Sequence, residues 1–454
     1  MKTTAIVLLA LFYGISAWCQ EMTQQQTQED LRFLKEQIQQ YNPALNSYNP
    51  DFDQQSSALI DGVKGSCTLF QYFSQISRLC ALSNEGHFGL GTWQDTVHKD
   101  ILNGNASYLP ISVKVVQNQL FIWGDFTKKG YFNKGDKIIS INKHTSEQLL
   151  ESLSDLLPSD GSIQTYLDHQ ISMSFEWLYY LYIEQAKTFQ ITYQPYESEI
   201  TKTVSIDALN RPQILENYKK RYAAKATTPK TPESNNEFYE LTHQEQYSYL
   251  KLKTFNRSTI EKYKFKSKQF YKTIFQEINS QNKGQLIIDL RDNTGGRNEF
   301  ADDIIPFISK APSDAPFLKK TISWHGKKRT YKVPRPSKQA YQGKLYVLIN
   351  GNTFSAGSTI ARYLKEFGNA IVIGEESGTR YEGFAAGSQQ YVYLPHSKIR
   401  IAIPRYHILF PPSDKQSTTN QGLLPDYNIT PSISDLINKK DAILHKAVSI
   451  LKHP

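Results

Sequence analysis

Between residues 344 and 367 the chain runs through a short apolar stretch, Leu345 to Ile349, then a break at Asn350, Gly351 and Asn352, then apolar residues at helical spacing that Gly368 stops. The pattern predicts a buried strand, a tight turn and a helix, with Ser355 at the helix N-terminus. Residues 24–82 are polar with apolar positions spaced for helices, Leu31, Leu34 and Ile38 first and Leu69, Phe73 and Ile76 later, which predicts a small helical domain. Over 109–196, strand-like runs at 111–116 and 119–123 lead into 134–142 and a predicted helix over 146–157. Residues 226–237, with Pro229 and Pro232, read as a linker. Beyond it, predicted strands at 247–255, 285–290, 370–375, 390–394 and 398–404 alternate with a long helix over 258–279 and the 356–367 helix, which argues an α/β core. The tail over 435–451 closes with another amphipathic helix.

Composition narrows the class. A chain of 454 residues with 39% hydrophobic and 21% charged residues reads as soluble and globular, long enough for two or three domains. Lys2, an apolar run over 5–12 and small residues at Ser16 and Ala17 read as a secretory signal over 1–19, with lipid attachment at Cys19 as the alternative. The mature protein is therefore expected in the periplasm or outside the cell, without an integral membrane span. Cys67 and Cys80 then remain, but thirteen residues of helix rise about 20 Å and bridged Cα atoms lie within about 7 Å. No disulfide is expected. The +9 net charge is spread without a long basic run, which argues against nucleic acid and leaves solubility or attraction to acidic partners. No histidines or cysteines show ligand spacing with a carboxylate, and there is no dinucleotide or phosphate loop, so neither a metal nor a cofactor is expected.

The turn is where chemistry is expected. Thr353-Phe354-Ser355-Ala356-Gly357 imitates the G-x-S-x-G elbow with Thr for the first Gly. Unpaired N–H groups at a helix N-terminus would meet an oxyanion there, while the alternative reading is an ordinary N-cap serine. Gly295 and Gly296 follow a buried strand and let a backbone amide approach a ligand. Such an amide, with that of Ala356, would make a two-donor oxyanion hole.

Four segments then fall in order: D-L-R-D-N-T-G-G at 289–296, N-G-N-T-F-S-A-G-S at 350–358, I-G-E-E-S-G at 373–378 and G-L-L-P-D at 422–426. Together they resemble the C-terminal-processing (tail-specific) serine protease family, nearest in layout to its tricorn-core and interphotoreceptor-retinoid-binding branch. The resemblance implies a ClpP/crotonase-like core and peptide-bond hydrolysis with Ser355 as nucleophile. Within 105–205, Lys134-Gly135-Asp136-Lys137-Ile138-Ile139-Ser140-Ile141-Asn142 and the helix after it resemble a PDZ domain, which captures a peptide at a sheet edge.

The general base separates the branches. Tail-specific members carry a lysine 25 residues after the serine, where this chain has Arg380, which stays protonated and cannot accept a proton. Lys365 has no motif behind it. Tricorn-like members use a histidine in a G-H turn, which Gly86-His87 matches, so His87 is the implied base. The branch places a glutamate just before G-x-x-P-D, whereas residues 417–421 are Ser-Thr-Thr-Asn-Gln. Asn420 or Asp414 is left to orient the imidazole; Glu85 is expected to point elsewhere, and Arg380→Ala is expected to cost little turnover unless Arg380 grips substrate.

The expectation is an exported serine endopeptidase of α/β class: helical domain 20–100, PDZ-like domain 105–205, linker 206–236 and protease core 237–454, acting on a peptide or protein substrate. Two alternatives remain: a binding protein with decayed catalytic machinery, and an acyl-thioester enzyme on the same fold.

Overall fold

The computed structural model describes residues 21–91, 106–222, 237–310 and 313–452. The expected signal over 1–19 and residues 223–236 of the expected linker lie outside them.

The N-terminal part contains α1 (Gln24–Tyr41), α2 (Leu45–Tyr48), α3 (Phe52–Asp61), α4 (Leu69–Ala81) and the short β1 (Gly89–Gly91). Thr23 with Gln26 and Thr68 with Gln71 form capping boxes that start α1 and α4. Cys67 therefore precedes α4 rather than lying in it, and both Cys67 and Cys80 are free.

The inserted part contains β2 (Ser107–Tyr108), β3 (Ile111–Val116), β4 (Gln119–Asp125), β5 (Lys137–Ile141), β6 (His144–Thr145), α5 (Ser146–Ser154), α6 (Gln164–Tyr182), β7 (Thr188–Gln194), β8 (Lys202–Asp207), β9 (Leu209–Asn210) and α7 (Arg211–Tyr222). Its main sheet runs β3-β4-β5-β7-β8, with β6 on β5. Strand β3 ends that sheet, α6 packs along it, and Val115 N–H donates to Ser172 Oγ at 2.9 Å. The expected linker over 206–236 is corrected at its start, since 209–222 form β9 and α7. Helix α7 is docked by Arg221, whose Nη1 lies 3.0 Å from Asp125 Oδ1, and by the Asn217 amide on the Phe126 carbonyl.

The core contains β10 (Tyr239–His243), β11 (Ser248–Leu252), α8 (Arg257–Tyr263), α9 (Ser267–Ser280), β12 (Gln285–Asp289), α10 (Asn298–Asp302), α11 (Ile305–Ile308), β13 (Lys319–Ser323), β14 (Lys328–Tyr331), β15 (Lys344–Ile349), α12 (Ala356–Gly368), β16 (Ile371–Gly374), β17 (Gly383–Tyr393), β18 (Arg400–Leu409), β19 (Tyr427–Asn428), α13 (Ile433–Ile437) and α14 (Ala442–Lys452). The central sheet is ordered β10-β11-β12-β15-β16-β19, parallel except for the β10–β11 pair. It is buried on both faces, as parallel sheets are. Leu286, Ile288, Val347 and Ile349 face the side of α9 to α12, and Ile287, Tyr346, Leu348 and Ile373 face α14. The single helix expected over 258–279 is two, because Lys264 takes a left-handed conformation between α8 and α9. The tail is likewise two helices, broken at Lys439.

The second core sheet sets β17 on one side of β18 and β1 and β13 on the other, with β14 outside β13. The helical part is not a separate body: Val392 of β17, Leu394 just after it, and Ile401 and Ile403 of β18 complete its apolar core. Through β1 and this packing the turn carrying His87 is brought onto the protease core.

Candidate active site

The turn after β15 is fixed before any substrate arrives. Thr353 Oγ1 donates to the Leu290 carbonyl at 2.9 Å, and Phe354 N–H donates to the Asn293 carbonyl at 3.0 Å, tying the turn to the one after β12. Ser355 sits at φ 53°, ψ −122°, a backbone region that non-glycine residues rarely occupy. Its N–H donates to Thr379 Oγ1 at 2.6 Å. Although Ser355 stands at the N-cap of α12, its side chain makes no capping hydrogen bond. The ordinary N-cap reading is thereby removed, and Oγ is left free to react.

The glycine turn abuts the serine. A Cβ on Gly295, at φ +86°, would come within 2.7 Å of Ala356 N and 2.8 Å of Ser355 Cβ. Gly295 N–H donates to Asn293 Oδ1 at 2.9 Å, so that amide is not available to an oxyanion. The amides of Gly296 and Ala356 have no hydrogen-bond partner among the described residues. Of the three residues expected to supply donors, two are free to do so and Gly295 serves close approach instead.

His87 lies in a stack of rings. Phe354, the residue before Ser355, stacks on it at 4.5 Å between centroids and Phe384 of β17 at 5.3 Å, while Tyr166 of α6 covers the other face of Phe354 at 4.7 Å. Both imidazole nitrogens are buried without a hydrogen-bond partner, so neither Ser355 Oγ nor any carboxylate is bonded to them. Burial holds the imidazole below its ordinary pKa, partly offset by the negative charge of Asp160. His87 is therefore neutral at neutral pH, the form a general base requires.

Beneath the His87 turn lies a buried cluster of charges. Glu85, Asp160 and Arg380 are almost wholly removed from solvent. Asp160, in the loop between α5 and α6, accepts Gly86 N–H at 2.6 Å and Arg380 N–H at 3.2 Å. Arg380 Nη2 donates to the Asn84 carbonyl at 2.5 Å, its Nη1 lies 3.7 Å from Glu85 Oε1, and its guanidinium sits 3.6 Å over the Tyr48 ring. Glu85 Oε2 accepts Ala385 N–H at 2.8 Å, so the side chain does point away from His87. Burial first, then the Asp160 charge, pushes the Glu85 carboxyl well above the usual carboxylate range against the pull of Arg380. Tyr48 is raised by the same burial and its O–H lies 3.0 Å from His407 Nε2, whose pKa burial and Arg380 push down to about 4.

The remaining candidates are placed elsewhere. Asn420 and Asp414 are both exposed, and neither side chain bonds to His87; it is the Asn420 backbone that is used, its N–H on Glu382 and its carbonyl accepting Ser162 N–H. These two expectations are corrected: the residues before G-L-L-P-D form a strut between the core and the inserted part. Lys365 pairs with Asp426 at 3.1 Å and is not a base for Ser355. Sequence reasoning missed Asp160, Tyr166 and Thr379. No local pattern marks them, since each acts through a contact made only in the fold. Among the described residues no group of three or more His, Cys, Asp or Glu could hold a metal.

Ser355 on a strained turn, two open amides and a neutral imidazole stacked on the neighbouring Phe354 make up the candidate site on the α/β core. Residues 246–429 match the model of peptidase family S41. The chain is a serine-type peptidase, and its substrate is a peptide or protein. Its fold is similar to that of mature CPAF, with a TM-score of 0.65 and 13% identity over 94% of this chain and 97% of that one. Mature CPAF complexed with lactacystin gives 0.62 and 13% identity over 94% and 98%. At that identity the likeness is one of fold. No curated protein sequence matches the chain. Among the described residues no helix is long and apolar enough to cross a membrane.

Proposed function

We propose that this protein is an exported endopeptidase in which His87 takes the Ser355 Oγ proton as Oγ attacks the scissile carbonyl. The oxyanion is received by the Gly296 and Ala356 amides. His87 returns the proton to the departing amine, an acyl-enzyme remains on Ser355, and a water activated by the same imidazole releases it. The observation that carries the reading is Ser355 itself, held at φ 53° with its side chain capping nothing. No metal or cofactor takes part in any step.

In this reading Asp160 takes the part expected of Asn420 or Asp414. It does not hydrogen-bond the imidazole; it fixes the turn through Gly86 N–H and favours the imidazolium through space. Substrate binding closes His87 and Ser355 Oγ to about 2.6–3.2 Å, a contact that enzymes without ligand often lack. The leader over 1–19 carries the export part of the reading, and its removal from secreted protein is checked by intact mass.

The test is hydrolysis of a mixed peptide library by wild type, Ser355→Ala and His87→Ala. Cleavage lost in both variants supports the assignment; cleavage that survives in Ser355→Ala sinks it. One observation favours a second reading, a binding protein on the same fold: both His87 nitrogens lack a partner. That reading predicts peptide binding with no cleavage by the wild type.

A further inference from the structure

The segment between β16 and β17 joins the two halves of the site. Residues 377–381 run antiparallel beside 421–423: Ser377 N–H donates to the Leu423 carbonyl at 3.1 Å, Arg380 bridges to Gly422, and Tyr381 N–H donates to the Gln421 carbonyl at 2.8 Å. The Ser377 hydroxyl closes the pairing by accepting Leu423 N–H at 3.0 Å. Ser377, Thr379 and Arg380 are each at most 2% exposed, so the segment is a buried brace.

One part of the brace holds the nucleophile. Gly378 N–H donates to the Thr353 carbonyl at 2.8 Å, and Thr379 Oγ1 accepts Ser355 N–H at 2.6 Å. The Ser355 carbonyl accepts Thr359 N–H at 2.9 Å, which is the ordinary first bond of a helix. Its amide is different, because no helix supplies a partner for the N–H of a cap residue. A serine at φ 53°, ψ −122° persists only where its surroundings over-determine the backbone, and the Thr379 hydroxyl is the group that does so at the amide. By taking that N–H, Thr379 also leaves Gly296 and Ala356 as the open pair of donors.

The next residue holds the base. Arg380 N–H donates to Asp160 Oδ2, Asp160 Oδ1 accepts Gly86 N–H, and Arg380 Nη2 donates to the Asn84 carbonyl. Asn84 and Gly86 belong to the turn that carries His87. Two consecutive residues thus grip the Ser355 turn and the His87 turn, and the peptide bond between them is a fixed length.

We propose that Thr379 is a positioning residue of the peptidase: its hydroxyl holds the strained Ser355 amide and, through its bond to Arg380, sets where the nucleophile stands relative to His87. The inference rests on the peptidase reading, and one arm of its test is independent of turnover.

The test compares Thr379→Val, which keeps the shape and removes the acceptor, with Thr379→Ser, which keeps the hydroxyl, in the full mature chain. Two quantities are read: the fluorophosphonate labelling rate per folded molecule, and hydrogen–deuterium exchange at the Ser355 amide. Thr379→Val is expected to label about ten- to hundredfold more slowly and to exchange that amide faster, while Thr379→Ser stays close to wild type in both. Where Thr379→Val fails to fold, Thr379→Ala takes its place. Wild-type labelling in Thr379→Val overturns the proposal, as does equal slowing in Thr379→Ser, which marks a packing role instead. Unchanged exchange at the Ser355 amide in Thr379→Val overturns the contact itself. Failure of the peptidase reading is separate: the wild type then takes no label, and the exchange arm alone decides whether Thr379 holds Ser355.

Discussion

The carboxylate of Asp160 accepts the backbone N–H of Gly86 at 2.6 Å, so a loop of the inserted part pins the turn that ends in His87. The same carboxylate accepts Arg380 N–H, and Tyr166, six residues further on, stacks on Phe354 beside the nucleophile. The inserted part is thus built into the site rather than appended to it. Replacing Asp160 by Asn keeps one acceptor and removes the charge. We expect the variant to lose about 1–3 kcal/mol of stability, its labelling by a serine-reactive probe to slow, and the acid limb of that rate to move to lower pH because the imidazolium has lost its favourable neighbour. Charge around this site comes also from Glu85, Arg380, Glu382, Tyr48 and His407; an unchanged limb contradicts a role for Asp160 at His87.

Arg380 stands where tail-specific relatives carry their lysine, and from the sequence its removal is expected to cost little turnover unless it grips substrate. Its burial against Glu85 and Asp160 adds a part in stability that the sequence does not reveal. Arg380→Ala takes the guanidinium away from the Asn84 carbonyl, the Tyr48 ring and the acidic pair Glu85 and Asp160 in a site closed to water, and is expected to cost about 3–5 kcal/mol, read as a large drop in the thermal midpoint. A midpoint within a degree or two of wild type contradicts this account of the cluster.

His407 gives a pH signature of its own. Its folded-state pKa of about 4 lies below the ordinary 6.5, so the unfolded chain binds the extra proton between those values. Stability from this group is therefore present above pH 6.5 and lost as pH falls toward 4, by an amount on the order of 3 kcal/mol. Glu85, raised rather than lowered, acts in the opposite direction, losing its contribution as pH rises above the ordinary carboxylate value. Comparing wild type with His407→Gln by urea unfolding isolates the histidine share: the stability difference, wild type minus variant, is expected to rise from pH 4 to pH 6.5 and then level off. A flat difference contradicts it.

Gly295 tests the oxyanion side. With its Cβ placed 2.7 Å from Ala356 N, Gly295→Ala must displace a proposed donor. The expected loss is about 10²–10³ in acylation rate, measured by stopped-flow labelling on protein shown to be folded by circular dichroism. Wild-type rates in the variant contradict the placement of the oxyanion hole.

The strand, turn and helix around Ser355 were legible because each has its own periodicity and the break between them is made of small residues. The 111–116 strand was legible for the same reason. Lys264 and Lys439, which interrupt helices expected to run through, were not: neither is a glycine or proline, so no local pattern marks their left-handed backbone. The long β17–β18 hairpin was read short because its residues are covered by the helical part on one stretch and by the core on another. Among the candidate site residues, Ser355, His87 and the glycine turn announce themselves in short motifs, whereas Asp160 lies 74 positions from its Gly86 partner. The Gly295 amide was misassigned because its capture by Asn293 is a side-chain event that a glycine pattern does not reveal.

The central claim, that His87 activates Ser355, is tested most directly by the pH dependence of fluorophosphonate labelling, read by intact mass on wild type, Ser355→Ala and His87→Ala. The account predicts one adduct on wild type, formed at a rate whose acid limb lies below pH 6.5 because burial holds the His87 pKa down. It predicts no adduct on Ser355→Ala and a rate lower by about two orders of magnitude or more on His87→Ala. Undiminished labelling of either variant, or none of the wild type, contradicts it.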